Sequence, residues 1–393
     1  MLTLKIIFWV FLFLIFYAYI GYGILLYILV RIKRILPGKK TIPGPSEYEP
    51  EVTLFVTAFN EKEFLDKKVE NSYALDYPRS KVRQVWITDG SDDGTPDLLR
   101  KYDGVEVYHQ PERAGKIAAM NRGMGFVRTP IVIFSDGNTL LGKESIRRIV
   151  HLFRNPKVGC VSGEKRVLLK GTAASTEGIY WKYESLLKKW DAELNTVVGA
   201  AGELFAIRTE LFEPVETDTL LDDFIISLRL AGKGYKIQYD PEAYAMESPS
   251  ASVKEELKRK IRISAGGIQS VIRLKELLNP FRYGMLSFQF ISHRVLRWTL
   301  APLGLPIILM CSFLLALTPG LLNYLSIYPW FFWGQLFLYT AAIAGWLLEN
   351  KHIKIKLLYI PFYFVMMNVA VYLGFFRYIR KQQSVNWERA KRG

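Results

Sequence analysis

The stretch Ile131-Val132-Ile133-Phe134-Ser135-Asp136-Gly137-Asn138-Thr139 decides the fold. Its four apolar residues, mostly β-branched or aromatic, predict a strand buried in a parallel sheet. The strand stops on Asp136, and Gly137-Asn138 turn the chain. An acidic side chain at the carboxyl end of such a strand stands where open α/β sheets bind their ligands. Oxygen ligands on a tight turn suit Mg²⁺ or Mn²⁺ carrying a diphosphate. The alternative reading of the same residues is an Asx-turn that closes a strand.

Working outward, strands and helices alternate. Val52 to Ala58 predicts a strand that ends in Thr57-Ala58-Phe59-Asn60-Glu61. Phe64 to Leu75 reads as a helix, and Val82 to Thr88 as a strand ending in Asp89-Gly90-Ser91. Lys116 to Val127 is helical and leads into the strand before Asp136. This order implies a mostly parallel α/β sheet with right-handed crossovers. No G-x-G-x-x-G follows the first strand, and Gly115-Lys116 lacks the flanking residues of a P-loop, so neither nucleotide fold fits. Downstream, Gly199 to Arg208 is a small-residue loop feeding a strand, and Gly202 in it permits close backbone approach to a ligand. Leu221-Asp222-Asp223-Phe224 opens a helix through Leu230 that Gly232 and Gly234 terminate. Paired acids at that position also serve as plain dipole complement.

The 393 residues are 50% hydrophobic with a mean hydropathy of +0.11, high for a wholly soluble protein. Cys160 and Cys311 lie far apart, which argues against a disulfide scaffold and fits a reducing compartment. Ile6 to Val30 is long and apolar enough to cross a bilayer. Arg31, Lys33, Arg34, Lys39 and Lys40 follow it where a signal peptide would carry small residues. These cations predict that the next domain is cytoplasmic, at the inner (plasma) membrane. Basic residues flanking apolar segments thus explain the net charge of +15 without nucleic acid. The chain divides into a membrane helix (1–31), a Pro- and Gly-rich linker (32–50), an α/β domain (51–250), basic amphipathic interface helices (251–298), a transmembrane hairpin (299–349), a third apolar segment (357–376) and a basic tail (377–393). The helical pattern from Val253 to Leu278, with Lys258, Arg259, Lys260 and Arg262 clustered, predicts a helix on the membrane surface.

Taken together, Phe59-Asn60-Glu61, Asp89-Gly90-Ser91, Arg113-Ala114-Gly115-Lys116 with Asn121, Asp136-Gly137-Asn138, the Gly199–Arg208 loop and Asp222-Asp223 form an ordered set. The set resembles the membrane-embedded family 2 glycosyltransferases, the group of cellulose, chitin, hyaluronan and poly-N-acetylglucosamine synthases. The resemblance covers roughly residues 50 to 300. It implies a GT-A fold, a UDP-sugar donor, a Mg²⁺ or Mn²⁺ cofactor and a saccharide or lipid-linked acceptor. Asn60, Glu61 and Asp89 would meet the nucleoside, Asn121 would lie in the same substrate site, and Lys116 would offset diphosphate charge. Asp136 matches the first acid of the family's D-x-D metal motif, and Asn138 stands in for the second. Asp223 and Asp222 match the final acids of T-E-D, with Leu221 in place of the threonine. Asp223 is expected to be the general base of an inverting transfer. Its place at a helix N-terminus predicts a lowered pKa that keeps it ionised.

Where processive members carry Q-x-x-R-W, this chain has Arg259-Lys260-Ile261-Arg262-Ile263. Arg262 keeps the arginine, suited to pyrophosphate. Arg259 replaces the glutamine, and Ile263 removes the flat surface on which an acceptor sugar would stack. The expectation is therefore sugar transfer at the cytoplasmic face, with long-chain processivity in question. Rival readings are a non-processive transferase acting on a polyprenyl phosphate or membrane lipid, a catalytically silent subunit of an export complex, and a transporter. Pro361 interrupts the third apolar segment. A full crossing there would put Arg377, Arg380, Lys381, Arg389, Lys391 and Arg392 outside, against the positive-inside tendency, so an interfacial or re-entrant path that keeps the tail inside is expected, with a third transmembrane crossing as the alternative. Trp387-Glu388-Arg389 would then resemble the cytoplasmic gating segment of these synthases.

Overall fold

The structure, a computed structural model, describes residues 1–36, 48–167, 173–250, 252–318, 326–350 and 355–381. It begins with a rod: α1 (Leu2–Phe16), a π-helical turn (Tyr17–Gly21) and α2 (Tyr22–Ile35) follow one another without a break. The rod has 34 residues, about 51 Å at 1.5 Å per residue, against a hydrocarbon thickness of about 30 Å. The rod is thus longer than one crossing needs, and in its second half Tyr22, Leu26 and Val30 are buried against Leu187 of the α/β domain. The helix continues past residue 31, where the sequence suggested the linker. Lys33 donates to the carbonyls of Glu193 and Leu194, and Arg34 pairs in two hydrogen bonds with the Glu193 carboxylate. These cations close a helix C-terminus, a favourable place for positive charge.

The α/β domain follows: β1 (Val52–Ala58), α3 (Lys62–Tyr73), β2 (Val82–Asp89), α4 (Thr95–Leu99), β3 (Val105–Gln110), α5 (Lys116–Met124), β4 (Ile131–Asp136), β5 (Leu140–Leu141), α6 (Ser145–Leu152), β6 (Val158–Val167), α7 (Ala173–Leu194), β7 (Leu204–Arg208), α8 (Asp222–Gly232) and β8 (Lys236–Glu247). The strands form one sheet in the order β3-β2-β1-β4-β7-β6-β8-β5. Both β1 and β4 are buried along their whole length. Phe55 and Phe134 face one core, and Leu54, Val56 and Ile133 face the other, which is why these strands read as unbroken apolar runs.

The expected mostly parallel sheet is correct for β3, β2, β1 and β4. Beyond β4 the sheet is mixed: β7 runs antiparallel to β4 and to β6, and β5 runs antiparallel to β8. A short buried apolar run carries no sign of its direction, so this reversal has no sequence signature. The parallel strands matter for the site. β1, β2 and β4 deliver Asn60-Glu61, Asp89 and Asp136 to the same edge of the sheet.

After the domain come α9 (Val253–Arg273), α10 (Pro280–Tyr283), α11 (Met285–Phe290), a second π-helical turn (Ile291–Val295), α12 (Leu296–Trp298), α13 (Leu300–Ala316), α14 (Ile327–Asn350) and α15 (Lys356–Ile379). Among the described residues, three helices are long and apolar enough to cross a membrane, or four if the pair Met285–Trp298 and Leu300–Ala316, bent by 52°, is one span. α13 runs antiparallel to α1, with Phe8 beside Ile308 and Leu315, and Ala18 beside Ala301. The break lies at Thr299, between α12 and α13, and α15 continues straight through Pro361. One lost backbone donor near the start of α15 does not end it, because the flanking side chains stay packed. Phe362, Tyr363 and Met366 press on Val253 and Leu257 of α9. α15 meets the π-helical turn of the rod through a hydrogen bond from Tyr19 Oη to Asn368 Oδ1 (2.6 Å) and α13 through one from Tyr372 Oη to the Pro302 carbonyl (2.6 Å).

Part of the basic cluster of α9 turns into the protein. Lys260 is buried among the rings of Trp181 and Tyr363, and Arg259 turns to Glu256. Glu256 accounts for the inward turn of Arg259 and Lys260, whereas Lys258 stays exposed beside Glu255.

Candidate active site

The loops after β1 and β2 are laced together. Asn60, in the left-handed region at φ 53°, donates from Nδ2 to Asp92 Oδ1 (2.8 Å), and its Oδ1 accepts from the Asp92 backbone (3.0 Å). Ser91, Asp93 and Thr95 accept from the backbone of Asn60, Lys62 and Glu61. Glu61 is buried. Asp89 closes the end of β2. Its carboxylate accepts from the backbone of Ala114 and Gly115, the shortest at 2.7 Å, so it clasps the loop that starts α5. Asn121 lies within α5. Its amide donates to the Val215 carbonyl and accepts from the Val215 backbone, spending both ends on the chain that leads to α8.

The clasped loop sets Lys116 at the first turn of α5, where its ammonium lies 2.9 Å from Asp136 Oδ1 and 3.5 Å from Asp222 Oδ2. Apart from that shared ammonium, neither oxygen has a hydrogen-bond partner among the described residues. Burial opposes the Lys116 charge, but Asp136 and Asp222 outweigh it and hold the amine well above its ordinary range. Asp223 is the correction of most consequence. Burial first, and then the Asp222 charge, push its carboxyl up to about 7, while Lys116 pulls the other way. The helix dipole that was expected to keep it ionised is outweighed by the loss of water and by a like charge one residue away.

The residues present fit a divalent cation. Asn138 Oδ1 is buried with no hydrogen-bond partner, and Asp136 Oδ1 has only the ammonium. Among the described residues no group of three His, Cys, Asp or Glu side chains is arranged around a metal. A hard cation held by one or two protein oxygens and completed by diphosphate oxygens suits such a sparse donor set.

These acids open into a cavity of about 1050 Å³. Gly202, Arg259, Arg262 and Ile263 line it. Gly202 backs Asp223, and its approach is to that side chain. The Arg259 fork is occupied by Glu256 in two hydrogen bonds of 2.9 and 2.8 Å, so it is less available to a ligand than expected. Arg262 is half-buried and shows no ion pair among the described residues. Trp387 lies outside the described residues.

Sequence reasoning missed part of this wall. Ile263 removes one aromatic, but Trp298 borders the same cavity, lying on Gly267, one helical turn further along α9. A Cβ at Gly267 would fall 2.5 Å from the indole, so only glycine admits the ring. The indole also meets Phe224 edge-on, with centroids 5.2 Å apart. Lys165, nearly buried, pairs with Glu203 and Glu247. Burial works against the Glu203 charge, yet Lys165 holds its carboxyl down to about 2. Charged residues inside otherwise apolar strands were the available signal. His293 stands between Asp191 Oδ2 (2.6 Å) and Glu184 Oε1 (3.0 Å), and Arg294 and Arg297 also pair with Glu184. This buried cluster ties the second π-helical turn to α7.

Comparison with known proteins agrees with this architecture. The family described as glycosyltransferase like family 2 matches residues 50–266. Poly-beta-1,6-N-acetyl-D-glucosamine synthase of Staphylococcus aureus is 26% identical over 235 residues, 56% of this chain and 56% of that protein. Beta-monoglucosyldiacylglycerol synthase of Trichormus variabilis is 27% identical over 199 residues, 46% of this chain and 41% of that protein. The chain thus spans about half the length of the curated relatives it matches. The solved mannosyltransferase PcManGT of Pyrobaculum calidifontis, in complex with GDP-Man and Mn²⁺, aligns over 97% of this chain and 100% of its own. Its TM-score is 0.73 and its identity 21%, which establishes a shared fold.

Proposed function

This chain belongs to glycosyltransferase family 2 and has the GT-A fold, and from that premise we propose that it transfers a sugar, with inversion, from a nucleoside-diphosphate donor to a saccharide or lipid-linked acceptor at the cytoplasmic face of a membrane. One observation carries the reading: Lys116 is shared by Asp136 and Asp222, next to Asp223, where the cavity begins.

In this reading Asp136 and Asn138 would hold a Mg²⁺ or Mn²⁺ ion, which when bound would supply charge stabilisation to the departing nucleoside diphosphate. Lys116 adds a fixed positive charge on the same side, and Arg262 contributes a guanidinium from α9. Asn60 and Glu61 bound the nucleoside end, with Asp89 acting through the Ala114–Gly115 backbone. Asp223 takes the proton of the acceptor oxygen. A carboxyl pushed up to about 7 is a stronger base than an ordinary aspartate and is still half ionised near neutral pH. Asp222, by its charge, helps to set that value. No covalent intermediate is needed for inversion.

The test is release of nucleoside diphosphate from the purified protein, supplied with a panel of UDP-sugars and, because PcManGT was solved with GDP-Man, of GDP-sugars. Turnover of one donor, abolished by EDTA, supports the reading. Tight donor binding without turnover would leave a silent nucleotide-binding subunit.

A further inference from the structure

The cavity does not end at the catalytic acids. From Asp223 it runs past Ile263 and Trp298 to the place where the N-terminal rod and α15 face each other. Ile20, Gly23 and Ile24 line one side, at the spacing of a single helix face. Ile360, Phe364 and Met367 line the other, again on one face. Ile24 is 52% exposed and Ile360 49%, so the walls are open where these helices would meet lipid. Tyr19 and Asn368, which line the cavity from its two sides, are hydrogen-bonded to each other.

Both π-helical turns sit at this junction. Tyr17–Gly21 supplies Tyr19 and Ile20 to the cavity, and Ile291–Val295 supplies His293 and Arg294. The Tyr17 and Ser292 hydroxyls hold the two turns together at 2.8 Å. Inserted π-turns re-aim side chains and are frequent at functional sites. Here two of them shape one passage.

Resting on the transfer reading above, we infer that the acceptor is a membrane lipid carrying a neutral hydroxyl. Its hydrocarbon chain lies between α2 and α15, and its hydroxyl reaches Asp223. Tyr19, Tyr27, Tyr183 and Asn368 line the same passage, but the side chains that open it outward furthest are Ile20, Ile24 and Ile360, which suit a hydrocarbon chain better than an oligosaccharide. A long-chain phosphate would fit the apolar walls, but its oxygen carries no proton for a base to remove at neutral pH. A hydroxyl requires one. In the step, the hydroxyl proton passes to Asp223 and the oxygen bonds to the anomeric carbon. The bond from that carbon to the diphosphate breaks, and the nucleoside diphosphate leaves with the electron pair.

The test uses the full chain in phosphatidylcholine nanodiscs with the labelled nucleotide sugar that gives acceptor-free nucleoside-diphosphate release. Diacylglycerol, a polyprenyl phosphate or a soluble oligosaccharide is added in separate arms. Label is expected in an organic-phase product with diacylglycerol. Ile24→Trp and Ile360→Trp, at half-exposed positions, should raise the KM for that lipid by about tenfold or more. They should leave acceptor-free release unchanged. Val10→Trp, exposed on α1 and not among the residues that line the cavity, should change neither. Label carried only by the polyprenyl phosphate or only by the oligosaccharide overturns the inference. So does an unchanged lipid KM in both groove variants. If no donor is turned over in any arm, the transfer reading itself fails and this inference falls with it.

Discussion

Gly202 leaves Asp223 just enough room: a Cβ built on Gly202 would lie 3.3 Å from both Cγ and Oδ2 of that carboxylate. The loop before β7 therefore determines where the proposed base can point. Gly202→Ala should displace the carboxylate by a few tenths of an ångström. We expect turnover to fall by about tenfold to a hundredfold, because misplacement of this order disrupts alignment. Donor affinity should stay the same, measured by calorimetry with a non-transferable donor analogue. A loss of affinity in parallel would show that Gly202 serves the donor instead.

Asp223→Asn keeps shape and removes proton acceptance. Transfer should fall by roughly 10²–10⁴-fold, the usual range for positioned acid–base catalysis. The folded-state pKa is raised above the unfolded value, so the native protein holds this proton more tightly. Stability associated with it is present at low pH and lost as pH rises through about 7. The Asn variant escapes that loss. It should melt at a higher temperature than the wild type at pH 8, and the difference should disappear by about pH 4. Lower melting at pH 8 would count against the raised pKa.

The same group predicts the pH profile of the wild type. kcat/KM should rise with pH through about 7 and then level off, as Asp223 loses its proton. In Asp222→Asn the rise should move to lower pH, since a like charge has been removed. An unmoved profile would mean that Asp222 does not act on Asp223.

Chelation tests the cation. EDTA should abolish transfer, and Mn²⁺ or Mg²⁺ should restore it. Asp136→Asn should weaken nucleoside-diphosphate binding more in the presence of metal than in its absence. Full activity in chelator would remove the metal from the mechanism.

Lys381 follows the end of α15 and reports which side of the membrane that helix reaches. If α15 lies across the domain-proximal ends of α1 and α13, Lys381→Cys in a chain lacking Cys160 and Cys311 should resist an impermeant thiol reagent in intact cells. Labelling from outside would establish α15 as a crossing.

The sequence carried the strands and the acids at their ends, because a buried parallel strand is an unbroken apolar run and its ligand edge is punctuated by acids and glycine. What a motif does not carry is who occupies a side chain's lone pairs. Asn121 looked like a ligand-binding residue, and its amide is spent on Val215, 94 positions away. Arg259 looked available, and Glu256 holds it. The aromatic surface lost at Ile263 was sought at the same position, whereas Trp298 arrives from another helix and needs Gly267 to fit. The pKa of Asp223 was misjudged for a related reason: a dipole can be read from a helix start, but burial cannot.

The unbroken rod from Leu2 to Ile35 has a mechanical meaning. Its clamps at Lys33 and Arg34 tie it to the end of α7 with little slack. Were this helix to cross a bilayer, any change in its tilt would be passed directly to α7 and the α/β domain.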